Sequence, residues 1–244
     1  MDSALLLALL AREKIPATAV TLKTALQPPC DIDAAREMAA SWGVPHQVLE
    51  IDELGCAPLL ANPTDRCYHC KKYLFSALAR LAAEQGAVLM DGTNADDLTE
   101  YRPGLRAAKE LGVQSPLAEL SITKKEVREM AAALGLSVAS RPSSPCLATR
   151  LPYGEPITRP LLAAIGQGEE LLRQAGFPVV RLRTHPGPGG LLGRIEVPPA
   201  DFERLLATRE TLLPALRQLG YTHLTLDLAG FVSGSYDKRK PTTP

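Results

Sequence analysis

Residues 17–51 read ATAVTLKTALQPPCDIDAAREMAASWGVPHQVLEI. Ala17 to Leu22 and His46 to Ile51 are short β-rich runs, and Ile32 to Trp42 between them carries an Ala-rich helical pattern. Strand, helix and strand in that order make one βαβ unit. The alternation holds from Ser3 to Glu84, so the fold class is α/β, a parallel sheet flanked by helices. Upstream, Ser3 to Arg12 is apolar on nearly every face, as expected of a helix packed deep against a sheet. Downstream, Lys71 to Gln85 reads as a helix and Ala87 to Met90 as a buried strand. Asp91-Gly92-Thr93-Asn94 follows as a loop at that strand's carboxyl end, where open α/β sheets bind ligands. Thr123-Lys-Lys-Glu126 has the form of a capping box opening a helix that ends near Leu134, with Gly135 as its C-cap.

After Arg141 to Pro156, which holds four prolines and little periodicity, the character changes. Arg159 to Ala175 reads as helix, Val179 to Thr184 and Gly193 to Val197 as strands, Pro199 to Leu219 as helix and His223 to Leu228 as strand. This predicts a first domain over 1–150, a second, smaller α+β domain over 151–236, and a mobile charged tail over 237–244. The 27 Lys plus Arg balance 27 Asp plus Glu, at a pI near 6.9. Such a chain has no general field for a polyanion, and no local basic patch points to nucleic acid. The longest apolar run, Ala4 to Ala11, is far short of a membrane span and lacks a basic flank, so a cytoplasmic protein with no membrane partner is expected. Five cysteines, Cys30, Cys56, Cys67, Cys70 and Cys146, form an odd set that argues against a disulfide framework and directs attention to metal or sulfur chemistry.

The chain opens Met1-Asp2-Ser3 and enters a helix at once, with no strand feeding it. Asp2-Ser3 before an apolar helix resembles the end of the PP-loop, Ser-Gly-Gly-x-Asp-Ser, of the ATP pyrophosphatase superfamily, with Met1 at the variable position. The rival reading is an ordinary N-cap. The glycines of such a loop let backbone amides close around a pyrophosphate. Their absence here leads to the expectation of a start placed too late and of weak ATP binding. Asp91-Gly92-Thr93-Asn94-Ala95-Asp96-Asp97 and Pro142-Ser143-Ser144-Pro145-Cys146-Leu147-Ala148-Thr149-Arg150 extend the likeness. Together with Arg181-Leu182-Arg183 and Arg194-Ile195-Glu196-Val197, they make the chain similar, from Asp2 to about Asp227, to the LarE family of ATP-dependent sulfur transferases, which help build a nickel-pincer nucleotide cofactor.

The resemblance implies that Asp2, Ser3, Asp91, Gly92, Thr93, Asn94 and Asp97 lie near ATP or its Mg²⁺, although an Asp-Gly pair by itself is also simple turn chemistry. Cys67-Tyr68-His69-Cys70 precedes a helix, and three Cys ligands with Cys146 suit a [4Fe–4S] cluster whose open iron holds an extra sulfide. A redox disulfide or a structural zinc site are the other readings of C-x-x-C. As the resemblance implies, some members use one cysteine, at the position of Cys146, as a consumed sulfur donor that ends as dehydroalanine. Others use three cysteines and a cluster, and this chain has all three. Cys30 and Cys56 read as packing residues.

Arg181 and Arg183 alternate on a strand and so share a face. The resemblance makes the substrate a pyridinium mononucleotide bearing carboxylates, an anion that paired guanidiniums hold well. A solvated strand face is the alternative. Lys71 and Arg150, beside the cysteines, are assigned to the same substrate, with exposed solubilising roles as the alternative. Glu170 and Asp201 are candidates for a divalent ion, against plain solvated carboxylates. The reading is thus an ATP-dependent sulfurtransferase acting on an adenylated carboxylate, with a small-molecule nucleotide substrate, a homo-oligomeric state and a sulfide or iron–sulfur assembly partner. Its rivals are an amide-forming PP-loop synthetase of the NAD or GMP synthetase type and a truncated, non-catalytic subunit.

Overall fold

The computed structural model describes residues 1–27, 30–136 and 146–232. The tail 237–244 and Pro142 to Pro145 lie outside them. The chain divides into two compact units, one of Met1–Leu59 with Pro63–Ser144 and one of Leu60–Asn62 with Pro145–Pro244. Among the described residues no helix is long and apolar enough to cross a membrane.

The first unit runs α1 (Asp2–Arg12), β1 (Ala19–Lys23), α2 (Cys30–Ser41), β2 (His46–Glu50), α3 (Ala57–Leu60), α4 (Arg66–Glu84), α5 (Pro103–Glu110), α6 (Pro116–Glu119) and α7 (Lys124–Ala133). β1 and β2 pair in parallel from Ala19 opposite His46 to Lys23 opposite Glu50, as the βαβ reading requires. Helices flank this parallel pair. Leu5 of α1 is fully buried against Leu117 and Val127 of α6 and α7. The capping box of α7 is present with both of its hydrogen bonds, and Gly135 ends that helix at a φ of 66°.

The predicted strand Ala87 to Met90 is corrected. It contributes a single parallel bridge from Met90 to Gln114, and Val88 is 59% exposed. Among the described residues its backbone bonds run to one neighbour, from Asp91 N to Gln114 O and from Gln114 N to Leu89 O. An apolar run is buried as a strand only when it is flanked on both sides.

In the second unit a 3₁₀ turn over Leu147–Arg150 leads to α8 (Arg159–Gln174), β3 (Arg181–Gly187), β4 (Gly190–Glu196), α9 (Phe202–Ala207), α10 (Arg209–Gln218) and β5 (Tyr221–Leu226). β4 is central, antiparallel to β3 and parallel to β5. Leu172 of α8, Leu182, Ile195, Leu216 and Tyr221 form the core on one face of this sheet. The single helix expected over Pro199 to Leu219 breaks at Thr208, whose hydroxyl donates back to the carbonyls of Arg204 and Leu205 and competes with the helical ladder. The strap Leu60–Asn62 joins this unit through Asn62 Nδ2, which donates to Pro152 O at 2.8 Å, and through Ile157 N, which donates to Leu60 O at 2.9 Å.

Glu169 of α8 is fully buried. It accepts from Arg150 Nε at 2.6 Å, Arg150 Nη2 at 3.0 Å, Arg173 Nη2 at 3.0 Å and the Leu182 amide at 3.1 Å. A buried carboxylate needs this degree of satisfaction, and its removal strands a buried guanidinium. Glu169→Ala should therefore lower stability by about 3–5 kcal/mol, read as a lower urea midpoint with an unchanged slope.

Candidate functional site

Two constellations hold the sequence-predicted residues, one in each unit. In the first unit the start of α1 lies directly on the loop after Met90. A Cβ added to Gly92 would stand 2.3 Å from Ser3 N and 2.7 Å from the Asp2 carbonyl carbon. Only a glycine admits that approach, so Asp2, Ser3, Asp91 and Gly92 are brought together by backbone packing. The first amides of α1 have no partner within the helix and present a positive dipole end to this loop.

The loop itself is braced at each polar group. Asp91 Oδ1 accepts from the Thr93 amide at 3.1 Å and the Ser115 hydroxyl at 2.7 Å, and Oδ2 accepts from Lys71 Nζ at 3.0 Å. Asn94, almost fully buried, caps the amides of Asp96 and Asp97. Asp97 in turn accepts from the Asn94 amide and pairs with Arg102 at 2.8 Å. Burial pushes the Asp91 carboxyl up, but the Lys71 ammonium and the bonds from Ser115 and Thr93 outweigh it and hold the group below the ordinary carboxylate value. Chemically this is a cradle of amides and ammonium groups beside fixed carboxylates, suited to phosphate oxygens and a hard divalent ion.

Lys71 sits on α4, one residue past Cys70. Cys67 is exposed and Cys70 partly buried, one turn apart on the same helix face near its N-terminus. Gly104 of α5 lets the two helices close at this point, since a Cβ there would lie 3.1 Å from Lys71 Cδ and 3.4 Å from the Cys67 carbonyl. Cys56 is buried, with its thiol toward the His69 carbonyl; the side chain of Cys30 lies outside the described residues.

In the second unit Cys146 precedes the 3₁₀ turn, and its carbonyl accepts from the Thr149 amide and hydroxyl. The Thr149 carbonyl accepts from Arg183 Nη1. Period-two alternation places Arg181 and Arg183 on the face opposite Leu182, which belongs to the core. That face is not solvated, because Arg181 is 5% and Arg183 2% exposed. Arg183 pairs with Glu196 at 2.9 Å, and Arg194 joins Glu196 to Asp227. Arg181 stacks on Phe231 and donates to Val232 O, while its buried Nε has no hydrogen-bond partner among the described residues. Burial, and then the nearby Arg183 and Arg150, hold the Arg181 guanidinium below the ordinary arginine value. Five arginines (150, 173, 181, 183 and 194) thus meet four carboxylates (169, 170, 196 and 227), one positive charge in excess.

Cys146, Arg150, Arg181 and Arg183 therefore belong to one region, and Asp2, Ser3, Lys71, Asp91, Gly92, Thr93, Asn94 and Asp97 to another. Glu170 pairs with Arg173 and Asp201 with Arg204, each within its own helical turn. Among the described residues no group of three or more His, Cys, Asp or Glu side chains could hold a metal ion. Sequence reasoning missed Ser115, Lys124, Glu169 and Glu196. The lysine directly after the Thr123 cap was the one visible signal, since cations are disfavoured in a helix's first turn.

Two outcomes follow from the Gly92 contact and the Asp91 bonds. Gly92→Ala should cost about 1–3 kcal/mol, because the clash is with backbone that cannot rotate away, and denaturant titration measures it. A carboxyl held below its unfolded value of 3.8 stabilises the fold above that value and ceases to do so as the pH falls through its lower folded value. Asp91→Asn should thus flatten the acid limb of the stability–pH curve below about pH 4, checked by urea midpoints across acid pH.

No protein-family model matches the chain. It is 38% identical over 91% of its length to an uncharacterized protein of Synechocystis sp., covering 82% of that protein. It is 30% identical over 92% of its length to an uncharacterized protein of Methanocaldococcus jannaschii, covering 84% of it. The solved structure of NMN synthetase from Francisella tularensis shares 17% identity at a TM-score of 0.47, over 59% of this chain and 62% of that one. With the pyridinium-3,5-bisthiocarboxylic acid mononucleotide synthase of Lactiplantibacillus plantarum the identity is 35% over 89% of this chain and 78% of the synthase. A likeness that spans most of both chains is that of relatives and not of a shared motif, and the chain belongs to the LarE family.

Proposed function

We propose that the protein is an ATP-dependent sulfurtransferase that converts a carboxylate of a pyridinium mononucleotide to a thiocarboxylate during nickel-pincer nucleotide cofactor synthesis. The observation that carries this reading is the likeness, over most of both chains, to a synthase named for a bisthiocarboxylic acid mononucleotide. The packing of the α1 start onto Gly92 supports it, because it gathers amides, Lys71 and carboxylates where a nucleotide and Mg²⁺ would be held.

The substrate carboxylate oxygen attacks the α-phosphorus of ATP, forming an acyl-adenylate and releasing pyrophosphate. A hydrosulfide then attacks the acyl carbon, the C–O bond to AMP breaks, and the thiocarboxylate, AMP and a proton are released. Adenylation is needed because a carboxylate oxygen is a poor leaving group and AMP a good one. Arg181, with Arg183 and Arg150 behind it, supplies the excess positive charge that suits a substrate phosphate or carboxylate. Lys71 is one residue from Cys70 and bonded to Asp91, so it links the thiol pair to the nucleotide loop.

Cys67, Cys70 and Cys146 are the thiolates that would hold a [4Fe–4S] cluster, and their donor chemistry fits one. Such a cluster, when bound, supplies the transferred sulfide. The reading includes a cytosolic homo-oligomer served by a partner that delivers sulfide or assembles the cluster. The second reading needs only the thiol of Cys146, which lies in the same unit as Arg150, Arg181 and Arg183. In it the Cys146 thiolate attacks the adenylate, and β-elimination from the resulting thioester yields the thiocarboxylate and dehydroalanine.

Substitution of Cys67 or Cys70 by Ala separates the two. In the cluster reading either change abolishes both the broad visible absorbance of protein purified without oxygen and the transfer activity, and intact protein given sulfide makes more than one equivalent of product per chain. In the sacrificial reading both variants retain one turnover, and mass spectrometry finds Cys146 lighter by one H₂S. ATP-dependent amide formation from ammonia, with no sulfur transfer in any variant, would overturn both in favour of an amide-forming synthetase.

A further inference from the structure

We propose that Phe231 and Val232 close the anion position at Arg181 and admit the substrate by giving it up, the Val232 carbonyl holding the place that an anionic oxygen takes. This rests on the reading of Arg181 as a substrate contact and adds the residues that control access to it.

The segment 227–232 leaves β5 as a strap. The Asp227 amide donates to Ile195 O at 2.9 Å, and the chain then turns back on Asp227, whose Oδ1 accepts from the Ala229 amide and whose carbonyl accepts from the Gly230 amide, each at 2.9 Å. Gly230 has a φ of 70°, and a Cβ there would stand 3.0 Å from Val197 O and from Pro199 Cδ. The turn is therefore fixed. Beyond it the hold is slight. The Phe231 amide donates to Val197 O at 3.0 Å, but the side chains of Leu228, Phe231 and Val232 stand outside the core of this unit, with Leu228 and Val232 exposed.

What the strap covers is Arg181. The Phe231 ring lies 4.3 Å from the guanidinium carbon, and Val232 O accepts from Nη1 at 3.0 Å. Arg183 and Arg150 have Glu196 and Glu169 as carboxylate partners. Among the described residues Arg181 has no carboxylate partner, and its buried Nε is unbonded. A neutral carbonyl and an aromatic face are modest partners for a cation held among other arginines, and an anionic oxygen bonds it about twice as strongly. An entering phosphate or carboxylate therefore takes Nη1 from Val232, and the strap lifts beyond Gly230 with the loss of the Phe231 bond to Val197. The plain alternative is a permanent cover in which Phe231 only supports the arginine.

The two have opposite consequences for binding. A strap that competes with the ligand lowers the apparent affinity by the fraction of molecules it closes, so loosening it tightens binding. A supporting strap, once loosened, weakens it. Calorimetry on the full chain with nicotinic acid mononucleotide, a pyridinium mononucleotide carrying one carboxylate, reads the sign. Phe231→Ala should bind it about threefold or more tightly than wild type, and Phe231→Trp, which keeps the stack, should return toward the wild-type value. Arg181→Met should lose about tenfold or more. Hydrogen–deuterium exchange on the wild-type protein needs no variant. The mononucleotide should speed exchange of the amides of 229–232 about fivefold or more, while those of β3 and β4 do not accelerate. If Phe231→Ala melts early, exchange alone decides. Binding by a stable Phe231→Ala that is no tighter, or strap exchange that is unchanged or slowed, overturns the strap and leaves Arg181 a substrate contact. Binding untouched by Arg181→Met overturns that reading and the strap with it, as does wild-type protein that does not bind the mononucleotide.

Discussion

A carboxylate with no exposure to water holds the second unit in register. Glu169 receives four donated hydrogen bonds from three directions, the 3₁₀ turn through Arg150, its own helix through Arg173, and β3 through the Leu182 amide. Removing a carboxylate from water is costly, and only this density of donors offsets it. The turn that follows Cys146 is thereby locked to the strand that carries Arg181 and Arg183. Glu196 repeats the arrangement on β4, which is why two nearly buried arginines sit beside a hydrophobic core without disrupting it.

The remaining positive charge is what gives that region chemical meaning. Structural ion pairs cancel, and a buried arginine whose neighbours are further arginines is tolerated when something else supplies the balance. Arg181 meets that description more closely than Arg150 or Arg183, whose guanidiniums serve Glu169 and Glu196. The two arginines of β3 are thus not equivalent in their partners: Arg183 is paired with Glu196, and Arg181 stacks on Phe231 and donates to the Val232 carbonyl.

In the first unit the controlling constraint is steric. Gly92 has no Cβ, so the backbone of α1 comes within contact distance of a loop nearly ninety residues away in sequence. The loop is then fixed by hydrogen bonds that leave little freedom at Asp91, Asn94 or Asp97. Such prior fixing means that little further order would have to be imposed on the loop by anything that meets it.

The sequence by itself determined the elements whose cause is local. The βαβ unit followed from periodicity over 17–51, the capping box from Thr123 and Glu126, and the loop at Asp91-Gly92 from the turn pair after an apolar run. Motif spacing also identified the thiol pair and its likeness to a family. It overstated the strand over Ala87 to Met90, because an apolar run does not reveal how many neighbours flank it. Tertiary structure alone decided the partners of charged groups. Lys124 with Asp2, Arg150 with Glu169 and the strap at Asn62 with Pro152 depend on the path of the chain through space. Ion pairs and side-chain bonds between distant residues leave no periodic trace, since their energies depend on burial and geometry that exist only once the chain has closed on itself.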